Sequence, residues 1–216
     1  AQRLNRDVLE LFSGSFDCTA SHLTVLQTAD CLNELGSISL EVRVFEGPYQ
    51  GGCFSFCFHI PTNYPFSPVS IWAVNPIWHP NIDLRTGKVA LPLEWSPVLT
   101  LKTCAIAVQM LMLEPSPDNP LNLEAYSSFI RSSDEFLDHV QGSIYDGGVR
   151  GGVHFIPCAM TWSEMHDIAT PKIATKRTRD CVQNTEDSRV STPDGGMHTT
   201  PYKQSNSVHT TPFVTT

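Results

Sequence analysis

Residues 78–97 read Trp78-His79-Pro80-Asn81-Ile82-Asp83-Leu84-Arg85-Thr86-Gly87-Lys88-Val89-Ala90-Leu91-Pro92-Leu93-Glu94-Trp95-Ser96-Pro97. Three prolines, a glycine and an asparagine interrupt any helical or strand periodicity in this stretch. Patterns typical of strands precede it, and patterns typical of helices follow it. Because a long irregular loop inside a compact domain is uncommon and often functional, we expect a functional site here.

The chain before this loop predicts one helix and then a sheet. Residues 1–12 carry apolar side chains at helical spacing, which indicates a short amphipathic helix that ends at Ser13-Gly14-Ser15. The apolar set is Leu4, Val8, Leu11 and Phe12, and the set assigned to the outer face is Arg3, Arg6, Asp7 and Glu10. Four strands are predicted at 22–27, 38–44, 53–60 and 69–74. Phe54, Phe56 and Phe58 alternate with smaller residues, and their face is expected to form the core.

The chain after the loop predicts three helices. Thr100 is a plausible N-cap for a helix through Leu113 that has little polar face, so we expect this helix to be central and buried. Pro120 fits the first residue of a second helix that runs through Ile130. Ser132 and Glu135 form a capping-box pattern that begins a last helix through Ile144. The order of elements predicts an α+β domain with an antiparallel sheet.

Several motifs together resemble the ubiquitin-conjugating enzyme family. They are Tyr64-Pro65-Phe66-Ser67-Pro68, His79-Pro80-Asn81, Gly87-Lys88-Val89 and Trp95-Ser96-Pro97. The resemblance implies the family's α+β fold, with an N-terminal helix, a four-stranded antiparallel meander, an active-site loop and three C-terminal helices. The motifs Pro48-Tyr49-Gln50-Gly51-Gly52 and Leu113-Glu114-Pro115 resemble most the branch that conjugates the Nedd ubiquitin-like modifier.

The resemblance also implies where the chemistry would lie, and the chain departs from the family there. Family members place a nucleophilic cysteine at the position that Ala90 occupies, and alanine cannot form a thioester. His79, Pro80 and Asn81 are retained, and without a nucleophile Asn81 is interpreted as a structural brace. Asn119 stands where the family commonly has an acidic residue that helps the attacking lysine.

The flap after position 90 is a further departure from the family. Trp95 follows Ala90 by five residues, a shorter flap than the family's. Pro92 is expected to stiffen it. The nucleophile, the flap and the residue at 119 have therefore changed together.

Two partner-facing surfaces follow from the resemblance. Phe66, Trp95, Ser96 and Pro97 correspond to the surface on which the family docks ligases. Arg3 and Arg6 lie on the helix that meets the activating enzyme, although a solvated helix face is the simpler interpretation. The expected partners are a ubiquitin-like modifier or its activating enzyme or ligase.

Other classes of function are disfavoured by charge and composition. The net charge is −8, and because residues 171–216 hold six basic and four acidic residues, the rest of the chain is more acidic still. An acidic domain argues against nucleic-acid binding, and no apolar run is long enough to suggest a membrane span. Neither a cofactor nor a metal is expected: Cys53 and Cys57 lie about 13 Å apart along one strand, too far to share a zinc. Seven cysteines, an odd number, favour reduced thiols in an intracellular protein of the cytoplasm or nucleus.

The predicted organisation is a conjugating-enzyme-like domain at 1–145, a glycine-rich extension at 146–162 and a tail at 163–216. Gly147-Gly148 and Gly151-Gly152 are expected to break all structure, and residues 153–162 are apolar enough to dock on the domain. The tail contains Ser, Thr and Pro and is expected to be disordered. The chain begins with Ala1 rather than Met, so a preceding docking segment is left open.

Three hypotheses for the function remain open at this point. The first is a catalytically degenerate relative, a pseudoenzyme, that acts as a binding module in ubiquitin-like, Nedd-type conjugation. The second is an active conjugating enzyme whose nucleophilic cysteine has been exchanged for Ala90. The third is a structural interaction protein unrelated to modifiers.

Overall fold

The structure is a computed structural model that describes residues 2–14, 16, 18–26 and 36–166. The elements run in the order α1 (Gln2–Ser13), β1 (Ser21–Val25), β2 (Ser37–Val44), β3 (Cys53–His59), β4 (Ser70–Ala73), α2 (Leu101–Leu113), α3 (Leu123–Arg131) and α4 (Ser133–Tyr145). A hairpin of β5 (Gly148–Arg150) and β6 (Val153–Phe155) and a short helix α5 (Trp162–His166) follow. The predicted α+β architecture is confirmed.

The sheet is an antiparallel meander in the order β1-β2-β3-β4. In β2 and β3 every second residue is buried, and Phe56 pairs with Leu40 on one side and with Ala73 on the other. Phe54, Phe56 and Phe58 are buried, as predicted, because aromatic burial on one face is the largest apolar gain available to this strand. The predicted bounds of β1 and β4 differ from the observed bounds by one or two residues at each end.

Helix α2 packs on the inner face of the sheet and fills the centre of the domain. Thr100 caps it, as predicted, by accepting a hydrogen bond from the Thr103 N–H at 3.1 Å. Most of the helix is buried, as expected, but Ile106 and Met110 are exposed on one edge. Gln109 is buried instead, and its amide donates to the Phe16 carbonyl at 2.8 Å and to the Ser21 hydroxyl at 2.8 Å.

Helix α1 differs from the prediction at Asp7, which was assigned to the outer face and is fully buried. Its carboxylate accepts hydrogen bonds from Arg3 Nε at 2.7 Å and from the Tyr64 hydroxyl at 2.5 Å. Both bonds go to Oδ2, and these charge-assisted bonds offset part of the loss of hydration.

Helix α3 begins three residues later than predicted. Asn122, not a residue near Pro120, is its N-cap, and the Asn122 side chain accepts from the Ala125 N–H at 3.1 Å. The Leu121 and Asn122 N–H groups both donate to the Pro80 carbonyl, which holds the segment against the loop instead of in a helix. The Ser132 cap of α4 is confirmed, with its hydroxyl accepting from the Glu135 N–H.

The segment after α4 is structured, contrary to the expectation that its glycines break all structure. All four glycines at 147, 148, 151 and 152 have positive φ and shape the turns of the β5–β6 hairpin, a conformation that glycine adopts without strain. Residues 158–160 then run beside residues 51–53, where the Cys53 N–H donates to the Cys158 carbonyl at 2.8 Å. Phe155 and Met160 are buried, which confirms that this segment docks on the domain. The division at 145/146 and the tail from 163 stay predictions, and residues 167–216 lie outside the described part.

Candidate functional site

The loop of residues 79–90 folds into a small hairpin against the edge of β4. Ile82 and Val89 form an antiparallel bridge, and the turn between them is closed by Asp83, whose carboxylate accepts from the Thr86 N–H and hydroxyl. The Val89 N–H donates to the Ile71 carbonyl at 2.9 Å, and the Gly87 carbonyl accepts from the Ala73 N–H at 2.7 Å. The loop is therefore held by backbone bonds on the sheet.

Ala90 lies at the end of this hairpin and is half-buried. Its N–H donates to the Asn81 carbonyl at 2.8 Å, so its backbone position is fixed by the same ladder. The side chain is a methyl group, which provides neither a nucleophile nor a hydrogen-bonding atom.

His79 is fully buried and both of its ring nitrogens are occupied. Nδ1 accepts from the Asn81 N–H at 2.9 Å, so the ring proton is on Nε2, which donates to the Leu111 carbonyl at 3.1 Å. The ring stacks on Tyr49 with centroids 5.2 Å apart. Burial lowers the pKa of His79 to about 4. A neutral imidazole with no free nitrogen braces the loop and is not placed to take up a proton.

Asn81 is fully buried and joins the hairpin to the loop before α3. Its Nδ2 donates to the Asp118 carbonyl at 2.6 Å, and its Oδ1 accepts from the Ser116 N–H at 3.1 Å. Both ends of the amide are used by backbone groups, which agrees with the structural role inferred for it.

The 115–120 segment carries Asn119, which stands where the sequence resemblance implies an acidic residue. Asn119 is exposed and has φ of 51°, a left-handed conformation that asparagine tolerates better than most residues. Asp118 beside it is also exposed. Pro92 of the flap and Pro115 and Pro117 line a groove of about 280 Å³, which shows that the flap lies along this segment.

Three of the described cysteines are poor candidates for a nucleophile in place of Ala90. Cys104 is buried in α2, and burial raises its pKa to about 11. Burial likewise raises the pKa of Cys53 and of Cys158 to about 11. A thiol with a raised pKa holds little thiolate at neutral pH and is a poor nucleophile. In the described part of the chain, no cluster of three or more potential metal ligands is present.

A second group of predicted residues lies at two adjoining loops. Phe66 is 78% exposed, and Ser96 and Pro97 are exposed as well. Trp95 is half-buried, and its Nε1 donates to the Pro65 carbonyl at 3.1 Å, which brings the two loops together. We call Phe66, Trp95, Ser96 and Pro97 the docking surface, after the role that the sequence predicts for them.

Arg3 and Arg6 differ in their surroundings. Arg6 is exposed, with Nε 3.6 Å from an Asp7 carboxylate oxygen. Arg3 is not on a solvated face: besides its bond to Asp7, its Nη2 donates to the Val98 and Leu99 carbonyls at 3.2 Å each. Its guanidinium is thus used within the domain.

Comparison with known proteins decides the family. The family model described as ubiquitin-conjugating enzyme matches residues 17–144. The chain belongs to the ubiquitin-conjugating enzyme family. Its fold is that of the family, as the helix, the four-stranded meander and the C-terminal helices show.

Members of the ubiquitin-conjugating enzyme family that resemble this chain include Nedd8-conjugating enzymes. The NEDD8-conjugating enzyme UBC12 of Yarrowia lipolytica is 38% identical over 121 residues, which span 55% of this chain and 67% of the relative. The Nedd8-conjugating enzyme UbcE2M of Drosophila melanogaster is 34% identical over 131 residues, or 59% of this chain and 71% of the relative. The solved structure of S. cerevisiae Ubc12 superposes with a TM-score of 0.61 at 32% identity and covers 74% of this chain and 86% of that one.

Two contributors to the site were missed from the sequence of this family member. Asp7 and Tyr64 are 57 residues apart, and their hydrogen bond links α1 to the docking surface. The available signal was the spacing of Arg3 and Asp7, four residues apart on one helix, which favours an ion pair.

The described helices have at most 13 residues, and none of them is long and apolar enough to cross a bilayer.

Proposed function

We propose that this chain is a catalytically degenerate ubiquitin-conjugating enzyme that acts as a binding module in Nedd8-type modifier conjugation. The observation that carries the proposal is Ala90 at the end of a loop whose scaffold is intact. Around it, the side chains of His79 and Asn81 are hydrogen-bonded so that they help to hold the loop. The scaffold of the site is thus present where its nucleophile is absent.

The chemistry of modifier transfer explains why this residue matters. The modifier's carboxyl terminus is carried as a thioester, which requires a thiolate to accept the acyl group and then release it to a lysine amine. A methyl group can do neither. The Thr86 hydroxyl donates to Asp83 at 2.6 Å within the turn and is thereby engaged in holding the loop. Thr86 is therefore not a substitute nucleophile.

The partner class is supported by the relatives and by the docking surface. The similar proteins from Yarrowia lipolytica and Drosophila melanogaster are named as Nedd8-conjugating enzymes. Exposed Phe66 is an aromatic side chain of the kind that anchors protein interfaces. We therefore expect binding to the Nedd8 activating enzyme, to Nedd8 or to a ligase, in the cytoplasm or nucleus.

The second candidate is an active enzyme whose cysteine has been exchanged for Ala90. Against it stand the five-residue spacing from Ala90 to Trp95 and the exposed Asn119, since one exchanged residue would leave both as in the family. Single-turnover discharge of Ala90→Cys onto free lysine separates the two candidates. The proposal predicts discharge about 100-fold slower than an ordinary family member, because poor positioning and a missing acidic group each slow the step. Discharge at the ordinary rate would support the second candidate.

Binding measurements test the proposal against a structural protein unrelated to modifiers. The full chain is titrated separately with Nedd8, with ubiquitin, with the activating enzyme of each and with a Nedd8 ligase. We expect measurable affinity for a component of the Nedd8 set, and Phe66→Ala should weaken ligase binding at least about fivefold. Leu123→Ala is the matched control, since Leu123 is 70% exposed on α3. No affinity for any component would favour the unrelated interaction protein.

A further inference from the structure

We propose that Asp7 is a positioning residue that couples the two loops of the docking surface to each other and to α1. The buried Asp7 carboxylate is connected to the 63–67 loop through Tyr64 and to the 95–99 loop through Arg3. We call these two connections its arms. Its importance for partners rests on the proposed function, but the coupling itself can be measured without any partner.

The first arm runs through Tyr64. Its hydroxyl donates to Asp7 Oδ2 at 2.5 Å, and Tyr64 lies two residues before Phe66. Burial raises the pKa of Tyr64, and its hydrogen bond to Asp7 raises that pKa further, so the phenol keeps its proton and remains a donor. The tyrosine ring also lies 6.1 Å from the Trp95 ring. The Phe66 loop is therefore fixed to α1 at its base.

The second arm runs through Arg3. Its Nε donates to the same oxygen, Asp7 Oδ2, at 2.7 Å. Its Nη2 donates to the Val98 and Leu99 carbonyls, so one guanidinium spans from the carboxylate to the loop that carries Ser96 and Pro97. Loss of the carboxylate would remove the group that orients Arg3.

The burial of Asp7 makes this arrangement more than a surface ion pair. Its side chain is fully buried, whereas Arg3 is 29% exposed. Both donors bond Oδ2, while Oδ1 has no hydrogen-bond partner and lies 3.6 Å from Arg6 Nε, so the hydrogen bonds that offset the lost hydration are those two. Bonds to a buried charge are stronger than bonds between neutral groups, and removal of one donor leaves the charge under-compensated. Loss of a hydrogen bond in either arm should therefore also destabilise the other loop.

Amide hydrogen exchange on the full chain tests the coupling. The reporters are the Phe66 N–H, which donates to Asn63, and the Leu99 N–H, which donates to Ser96; the Val89 N–H, which donates to Ile71, reports on the rest of the domain. Tyr64→Phe removes one hydroxyl and keeps the ring. We expect it to speed exchange about tenfold or more at Phe66 and also at Leu99, which Tyr64 does not bond. Asp7→Asn should also speed exchange at both reporters. Tyr126→Phe is the matched control, since it removes a hydroxyl outside the network, and it should speed exchange at neither reporter.

Two results would overturn the proposal. If Tyr64→Phe speeds exchange at Phe66 but leaves Leu99 unchanged, the carboxylate does not couple the loops. If exchange rises equally at Phe66, Leu99 and Val89, Asp7 only stabilises the whole fold. Coupling in the exchange data without affinity for any Nedd8 component would leave the positioning role standing and reject the proposed function, so the two failures are distinguishable.

Discussion

At the scale of single residues, the site combines an intact scaffold with a side chain that cannot react. The His79 ring is hydrogen-bonded to the Asn81 N–H and to the Leu111 carbonyl of α2, and the Asn81 amide to the 116–118 segment. Ala90 is held by the same ladder and offers only a methyl group. Retention of buried polar residues around an inert position is explained by stability, since an unpaired buried polar group is costly.

The burial of His79 makes stability depend on pH. Its pKa is lowered to about 4 in the folded chain, below the ordinary value of 6.5, so protonation favours the unfolded state. Above pH 6.5 the group has no effect; as pH falls from 6.5 to 4, the free energy of unfolding should drop by about 3 kcal/mol. Denaturant titrations across this range check the prediction, with His79→Asn as the control. An equal loss in His79→Asn would assign the acid sensitivity to other groups.

The residues that could be predicted from sequence are those whose role is local. Thr100 and Ser132 were identified as caps because a cap depends on the three residues after it. Asp7 was placed on the outer face because its helical position alone does not show that Tyr64 completes its burial. Long-range polar partners leave little local signal, and the predicted roles of Phe66 and Asn119 toward partners stay predictions.

At the scale of elements, the hairpin of residues 79–90 is the part that sets the position of Ala90. At Gly87, whose φ is 75°, the hairpin is hydrogen-bonded to Ala73 of β4. A Cβ at Gly87 would lie 2.4 Å from the Ala73 carbonyl oxygen, a distance that only a backbone shift could relieve. Glycine is thus required here for both its conformation and its size.

Replacement of Gly87 with alanine should therefore destabilise the domain more than a matched replacement elsewhere. Gly148 has φ of 87° but open space around its Cβ position, so Gly148→Ala tests the conformational cost alone, about 1 kcal/mol. Gly87→Ala should cost about 2 kcal/mol or more, because the clash with Ala73 adds to that cost. Chemical denaturation of both variants gives the comparison. Equal losses would mean that the close approach to β4 is readily relieved.

The elements themselves were mostly predictable because their patterns are periodic. Alternation gave β2 and β3 with the correct buried face, and the apolar spacing gave α2 and α4. The predicted start of α3 was wrong because the Pro80 carbonyl, 41 and 42 residues earlier in the chain, accepts hydrogen bonds from the N–H groups of Leu121 and Asn122. The β5–β6 hairpin was missed because its glycines signal turns equally well in structured and unstructured chains.

At the scale of the whole molecule, the segment of residues 153–160 forms part of the packed domain. Phe155 is 1% exposed, and its ring centroid lies 6.5 Å from the ring centroid of Trp78, the residue that precedes His79. The Cys158 N–H donates to the Ile144 carbonyl at the end of α4, and the Met160 N–H to the Gly51 carbonyl. The segment therefore joins α4 to the turn before β3.

Removal of the Phe155 ring should thus affect global stability. Phe155→Ala is expected to lower the free energy of unfolding by about 3 kcal/mol, the usual cost of a cavity of this size. The adjacent Ile156 is 59% exposed, and Ile156→Ala should change stability by no more than about 0.5 kcal/mol. Thermal and denaturant unfolding measure both. If the two variants unfold alike, the segment contributes little to the core.

The central claim is that this member of the ubiquitin-conjugating enzyme family lacks the conjugating reaction. The most direct measurement is a thioester assay: the chain is incubated with ATP, magnesium and Nedd8 plus its activating enzyme, or ubiquitin plus its own, and analysed on non-reducing gels. Ala90→Cys, which restores the thiol, is the positive control and is expected to load slowly. We predict no reductant-sensitive band for the chain with Ala90. A reductant-sensitive band shifted by the mass of one modifier would contradict the claim and identify another cysteine as the nucleophile.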